Sequence, residues 1–233
     1  YDAKRVIKVF KKNVDLAKKE QKVKFFISIK SQLPQNVIGP EEIVTVNGSF
    51  VGYAMRKLVN SEDLHMLTKT KYLTAARLSN QDVLQIITDL GLHLGKLHST
   101  GVIVGDVSDF NFQMNGKSDY FIDVDSWGIE GKFQPDAYTE LFTCPDSYMA
   151  NGSINFSKEN ENYNFAVLAF NMLTRIHPFG GTYLPDKNLS TLERMKRKIS
   201  IVGRYKGDIK IPKIIGSWKW ISPQLEKDFI EIF

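Results

Sequence analysis

The sequence predicts an α+β protein with a β-rich N-terminal part and a mainly helical remainder. Three observations carry this. A strand-type run, Arg5–Phe10, and an Asn47-Gly48 turn between two β-rich runs lie early in the chain. Two long segments with helical spacing, near residues 80–98 and 163–173, lie later. The composition of the 233 residues, 42% hydrophobic and 24% charged, excludes disordered, collagen-like and coiled-coil classes.

Arg5-Val6-Ile7-Lys8-Val9-Phe10 reads as a strand because Val, Ile and Phe dominate it, with Lys8 as the interruption. Residues 13–30 read as a helix in which Leu16, Val23 and Ile27 recur at helical spacing. Glu20 falls in that same stripe, and a carboxylate on an apolar face calls for a cationic partner. Ile43–Val46 and Ser49–Met55 flank Asn47-Gly48, a pairing suited to a type I′ turn.

From Asn80 to His98 one stripe holds Val83, Ile86, Ile87, Leu90, Leu94 and Leu97. Ser79 and Asp82 stand at capping-box spacing, and Gly101 supplies a stop. Two short strands, 111–114 and 120–122, flank a turn at Asn115-Gly116. No periodicity is visible from Asp123 to about Asn160, and a loop of that length usually serves function. Tyr163–Leu173 is apolar on most faces and predicts a central helix, and a last helix runs over Pro223–Phe233.

The net charge of +5 favours anionic ligands without deciding for them. The single cysteine, Cys144, excludes an intrachain disulfide and a cysteine zinc cluster, and reads as a packed small residue. No apolar run has the length of a membrane span, and a cytoplasmic location is expected. His98 and His177 read as structural, the three tryptophans as packing residues, and Arg194–Lys198 as a solvated helix face. A nucleic-acid partner is not expected, since that basic stretch lacks interleaved aromatics.

The chemistry concentrates in Leu97-His98-Ser99-Thr100-Gly101-Val102-Ile103-Val104-Gly105-Asp106, with Asn111 five residues further on and Asp123 at the end of a strand. If the short strands form a hairpin, three oxygen-bearing side chains converge, as a Mg²⁺ site requires. Here the sequence resembles the protein-kinase superfamily, whose catalytic loop carries an Asp and an Asn and whose metal motif is Asp-Phe-Gly. The resemblance implies a bilobal kinase-like fold with a small lobe over residues 1–58 and a helical lobe over 59–233. It implies Asp106 as the catalytic-loop Asp and Asn111 and Asp123 as metal ligands. It also implies Lys8 as the phosphate-contacting lysine, with Glu20 as its ion-pair partner. Met55 would back the adenine pocket, Arg56-Lys57-Leu58 would form the hinge, and Gln113 would lie in the adenine floor. Thr143-Cys144-Pro145-Asp146 is similar to the end of the activation segment, and His177-Pro178-Phe179 to the motif after the buried helix. ATP and Mg²⁺ are the implied cofactors, a protein Ser/Thr hydroxyl the implied acceptor, and a regulatory partner or flanking domain is compatible with it.

The departures are specific. Gly105 stands where the family has the Arg that receives a phosphorylated activation segment, so phosphorylation-independent or partner-driven activity is expected. This atypical pattern resembles kinase-like domains of bacteria and phages. Ser108 replaces a γ-phosphate lysine, and Asp125 replaces the Gly of Asp-Phe-Gly, as an added metal ligand or a solvent-facing group. The glycine-rich loop is expected upstream of Tyr1, since no glycine precedes Gly39. Two other functions stay open: a pseudokinase module of a larger protein, and an aminoglycoside-kinase-like phosphotransferase. Cys144-Pro145-Asp146 and His177-Pro178-Phe179 weigh against the latter.

Overall fold

A computed structural model describes residues 4–215 and 218–233, so the first three residues of the expected small lobe lie outside it. Strand β1 (Arg5–Val9) leads to helix α1 (Leu16–Ser28), shorter at both ends than its sequence pattern predicts. Asp15 caps α1 by accepting from the Lys18 amide at 3.0 Å. The hairpin of β2 (Glu42–Val46) and β3 (Ser49–Arg56) turns through Asn47 and Gly48, whose φ values of 51° and 78° are those a type I′ turn needs. The three strands form one antiparallel sheet in the order β1-β3-β2, and Lys8 stands opposite Tyr53 in its register.

Helix α1 buries Lys22, Val23 and Phe26, and the part-buried Lys19 extends that face at i, i+3, i+4 and i+7 spacing. Val23 packs with Phe50 and Tyr53 under the sheet, while Phe26 meets the edge of Trp127 at 6.1 Å. The apolar members of the stripe expected from the sequence hold together: Leu16 and Ile27 pack with Val23 against Phe50 and Tyr53. Lys19 and Lys22 stand beside that stripe, roughly 100° of helix from Glu20 and Val23 respectively.

After β3 come β4 (Glu62–Asp63), α2 (Thr70–Ala76) and the long α3 (Asn80–Ser99). Helix α3 begins in the expected Ser79–Asp82 capping box and buries the predicted stripe. β5 (Val102–Ile103) follows, then the hairpin of β6 (Phe112–Asn115) and β7 (Ser118–Phe121). β8 (Gly128–Ile129) pairs back to β5, and short 3₁₀ turns fill the stretch to residue 147 that lacks sequence periodicity. Helix α4 (Lys158–Thr174) starts earlier than the apolar pattern predicts, because Ser157 caps a polar first turn by accepting from the Asn160 amide. The remaining elements are β9 (Thr182–Tyr183), α5 (Thr191–Lys196), β10 (Ile209–Lys210) and α6 (Pro223–Ile232).

The main core gathers on α3 and α4 and continues beneath the β6/β7 hairpin. Phe112, Phe121 and Trp127, all at most 1% exposed, meet edge-on at 5.1 and 6.1 Å and fix the floor on which the candidate site stands.

Candidate active site

Gly105 and Asp106 follow β5 at the end of the α3 turn. Gly105 has a φ of +82°, and its amide donates to Glu161 Oε1. The other oxygen of Glu161 is 2.8 Å from His98 Nε2, and Glu161 itself is 1% exposed. One buried carboxylate thus ties the end of α3, the loop before Asp106 and the start of α4. His98 is structural, as the sequence suggests.

The loop closes on itself. The Ser108 amide donates to Asp106 O at 3.0 Å, and the Asn111 amide to Ser108 O at 3.1 Å. Asn111 Nδ2 donates to Asp106 O and to Ser108 Oγ at 3.1 and 3.2 Å. With its NH₂ so occupied, Asn111 offers Oδ1 to a hard cation. Ser108 is 3% exposed and props this loop internally.

The β6/β7 register pairs Phe112 with Phe121, so Asn111 lies beside Ile122, whose amide approaches Asn111 O at 3.4 Å. Asp123 comes next in the chain. Its backbone is left-handed, φ 61° and ψ 34°, an uncommon conformation for a non-glycine residue. The Ser126 amide and hydroxyl both donate to Asp123 O, at 3.0 and 2.8 Å, and hold the turn. Asp106 Oδ1 is buried and has no hydrogen-bond partner among the described residues. An orphaned buried carboxylate oxygen suits a group that receives a hydroxyl proton.

Lys8 enters from β1. Its ammonium binds Asp123 Oδ1 and lies 2.6 Å from Asp125 Oδ1. The expected Lys8–Glu20 pair is absent: Glu20 instead binds Lys24 Nζ at 2.7 Å along the helix surface. Lys19, one residue earlier on α1, reaches Asp125 and Asp136, while Glu20 is drawn to Lys24. Asp125, 2% exposed, is the hub of the arrangement. It also accepts from Tyr53 Oη at 2.6 Å and from Lys19 Nζ at 3.0 Å. Burial alone would raise the Asp125 carboxyl, but Lys8, Tyr53 and Lys19 outweigh it and hold the group below the usual range. Burial would lower Lys8, and Asp125 and Asp123 together raise it. The solvent-facing alternative for Asp125 is thereby ruled out.

Asp136 forms a second hub. Its carboxylate meets Lys18, Lys19 and Lys22 at 3.2, 3.0 and 2.9 Å, and Lys22 is fully buried. Burial outweighs Asp136 at Lys22 and lowers that ammonium below its ordinary value. Next to Asp136, Pro135 sits between two glycines. A Cβ on Gly105 would lie 2.3 Å from Pro135 Cβ, and one on Gly128 would lie 2.5 Å from Pro135 Cδ. No side chain fits at residue 105, so the missing Arg is a packing requirement. Asn164 Oδ1 fastens the far end of the segment by accepting from the Cys144 amide at 2.7 Å. Cys144 is buried and burial pushes its thiol up, which suits a packing residue.

Met55 is half-buried opposite Val6, and Arg56 and Lys57 are exposed where β3 ends, with Leu58 partly covered. Arg56 donates to Gln35 O at 3.1 Å, and the Lys57 amide to Lys4 O at 2.8 Å. Both ends of the Gln113 amide are taken, by Ser61 Oγ at 2.5 Å and Asp63 Oδ1 at 2.7 Å. These bonds bind the segment after β3 to β6. Arg194 is not on a solvated face: it is 4% exposed and donates to Gly181 O at 2.8 Å. Tyr53, Lys19 and Asp136 escaped the sequence reading. An i, i+3, i+4, i+7 count from Lys19 through Phe26 is the signal that would have found Lys19.

No protein-family model and no curated protein sequence matches the chain. Solved structures do. The chain is similar to the Cydia pomonella granulovirus kinase PK-1 with a TM-score of 0.63 and 16% identity, over 91% of this chain and 72% of that one. It is also similar to a chain of the yeast RNA polymerase II CTD kinase CTDK-1 complex, with a TM-score of 0.60 and 15% identity, over 84% of this chain and 60% of that one. The chain has a protein kinase-like fold, mixed α+β, with small sheets and a helical part. Among the described residues no helix is long and apolar enough to cross a membrane.

Proposed function

We propose that this chain is an ATP- and Mg²⁺-dependent phosphotransferase acting on Ser/Thr hydroxyls of protein substrates, with residues 1–58 and 59–233 as its two lobes. The observation that carries this is the orphaned Asp106 Oδ1, in a loop whose Asn111 is brought beside Ile122, next in the chain to Asp123, by the β6/β7 hairpin. The nucleotide supplies a transferable phosphoryl group, and Mg²⁺ neutralises its charge. Asn111 Oδ1 and the Asp123 carboxylate would hold the cation. Lys8, already on Asp123, would contact the phosphates. Asp106 would orient the acceptor hydroxyl and take its proton. Positioning and charge neutralisation are the main needs of such a reaction. Met55 and the Arg56-Lys57-Leu58 segment would bound the base, with the Gln113 stem beneath it.

A protein acceptor is favoured over a small-molecule one by the segment from Asp123 to Asp146, which is anchored by Asn164 and Asp136 as a formed surface. The test is transfer of radiolabel from γ-labelled ATP with Mg²⁺ to generic protein acceptors and, separately, to aminoglycosides. Label on protein supports the reading; label on aminoglycosides alone, or on neither, overturns it. The granulovirus kinase and the CTD kinase complex are named as kinases, and the latter as a complex, which makes a regulatory partner a natural extension.

A further inference from the structure

We propose that Asp125 is the positioning residue for Lys8, in the role the sequence assigns to Glu20, and that α1 contributes a cation to the site instead of a carboxylate. The inference rests on the phosphotransferase reading above.

Three elements deliver donors to this one side chain. Lys8 from β1 and Tyr53 from β3 both reach Oδ1 at 2.6 Å, and Lys19 from α1 reaches Oδ2 at 3.0 Å. Lys19 also donates to the backbone oxygen of Asp125 at 2.9 Å. Glu20, on the same helix, is engaged with Lys24 and makes no contact with Lys8. The sign of the charge that α1 presents to the site is thus reversed, and the carboxylate comes from the turn that also carries Asp123.

The geometry suits positioning more than simple charge pairing. An ammonium with two carboxylate partners and a donor-locked neighbour has one orientation available, because Tyr53 and Lys19 fix both oxygens of Asp125. Asp125 lies in the 3₁₀ turn that Ser126 closes onto Asp123 O, so Lys8 and Asp123 are set by one rigid unit. Movement of α1 would break the Lys19 contacts while leaving the Lys8 contact intact. A helix-borne glutamate would instead release the lysine.

The test measures the dissociation constant of Mg-ATP for the full 233-residue chain, using a fluorescent ATP analogue, alongside melting temperature. Wild type, Asp125→Asn, Glu20→Gln, Lys8→Met and the Lys8→Met/Asp125→Asn double variant are compared. Asp125→Asn is expected to weaken binding about tenfold, and to cost less than about twofold when Lys8 is already Met, as coupled groups do. Glu20→Gln is expected to stay within about twofold of wild type. A merely structural Asp125 would cost the same affinity in both backgrounds, and that result overturns the proposal. So does a Glu20→Gln loss equal to that of Asp125→Asn. If Asp125→Asn does not fold, Tyr53→Phe takes its place, with about threefold weaker binding that vanishes in the Lys8→Met background. Wild type that binds no Mg-ATP overturns the phosphotransferase reading itself, an outcome distinct from the two above.

Discussion

Lys8 and Tyr53 stand opposite each other across β1 and β3, and both donate to a single oxygen, Asp125 Oδ1, at 2.6 Å. Directly paired residues of an antiparallel sheet share a face, so the sheet itself aims both groups at the turn after β7. Tyr53 is fully buried, and burial followed by the Asp125 charge pushes its hydroxyl far above its ordinary pKa. It acts as a permanent donor.

Tyr53→Phe removes that donor and leaves the ring. The loss of one charge-assisted hydrogen bond in a buried setting is expected to lower stability by about 2 kcal/mol. Urea unfolding of the variant beside wild type measures it.

Asp136→Asn leaves the fully buried Lys22 without its counter-charge. Breaking such a pair is expected to cost about 3 kcal/mol. Lys18→Ala, at the exposed side of the same cluster, is expected to cost less than about 1 kcal/mol. Gly105 offers no cation to receive a phosphate, so phosphorylation at Thr139 or Thr143 should give no large gain in activity. Thr143 is 3% exposed and its hydroxyl already donates to Thr139 O. Activity measured before and after treatment with a phosphatase checks the point.

Gly105→Arg restores the residue that the kinase resemblance leads one to expect. It should nonetheless destabilise, because the φ of +82° disfavours any side chain and Pro135 fills its place. An overpacked site with backbone strain is expected to cost about 3 kcal/mol or more, read as a fall in melting temperature.

His177 gives the expected pH dependence. Its Nε2 donates to Leu141 O at 2.6 Å, and its Nδ1 accepts from the Phe179 amide at 3.2 Å, which defines a neutral ring. Burial, aided by the charge of Arg194, lowers its pKa to about 4, below the ordinary value of 6.5. The unfolded chain therefore binds a proton that the folded chain refuses between those values. Stability contributed by the neutral ring is present above pH 6.5 and is lost as pH falls toward 4. Denaturant unfolding at several pH values should show this slope in wild type and a shallower one in His177→Gln.

The sequence made most of the elements legible. The Asn47-Gly48 hairpin and the α3 stripe follow from strict local rules of turn chemistry and period, and the structure has both. The β6/β7 hairpin that sets Asn111 beside Ile122 was readable because its turn at Asn115-Gly116 is a local feature. What escaped was tertiary. Leu16, Val23 and Ile27 face the sheet as their spacing predicts, but which adjacent charge, Lys19 or Glu20, reaches the site is decided by Asp125, a partner far along the chain. Arg194 reads as a surface charge until the carbonyls of Gly180 and Gly181 are seen to close around it. Asp125 could not be assigned at all, since its three partners lie 106, 72 and 117 residues away.

The most direct test of the central claim is the single-turnover rate of γ-phosphoryl transfer by the wild-type chain and by Asp106→Asn, each saturated with Mg-ATP. The variant is expected to bind nucleotide normally and to transfer at least about a hundredfold more slowly, as befits loss of a general base. Equal rates for the two would contradict the assignment of Asp106 and the mechanism built on it.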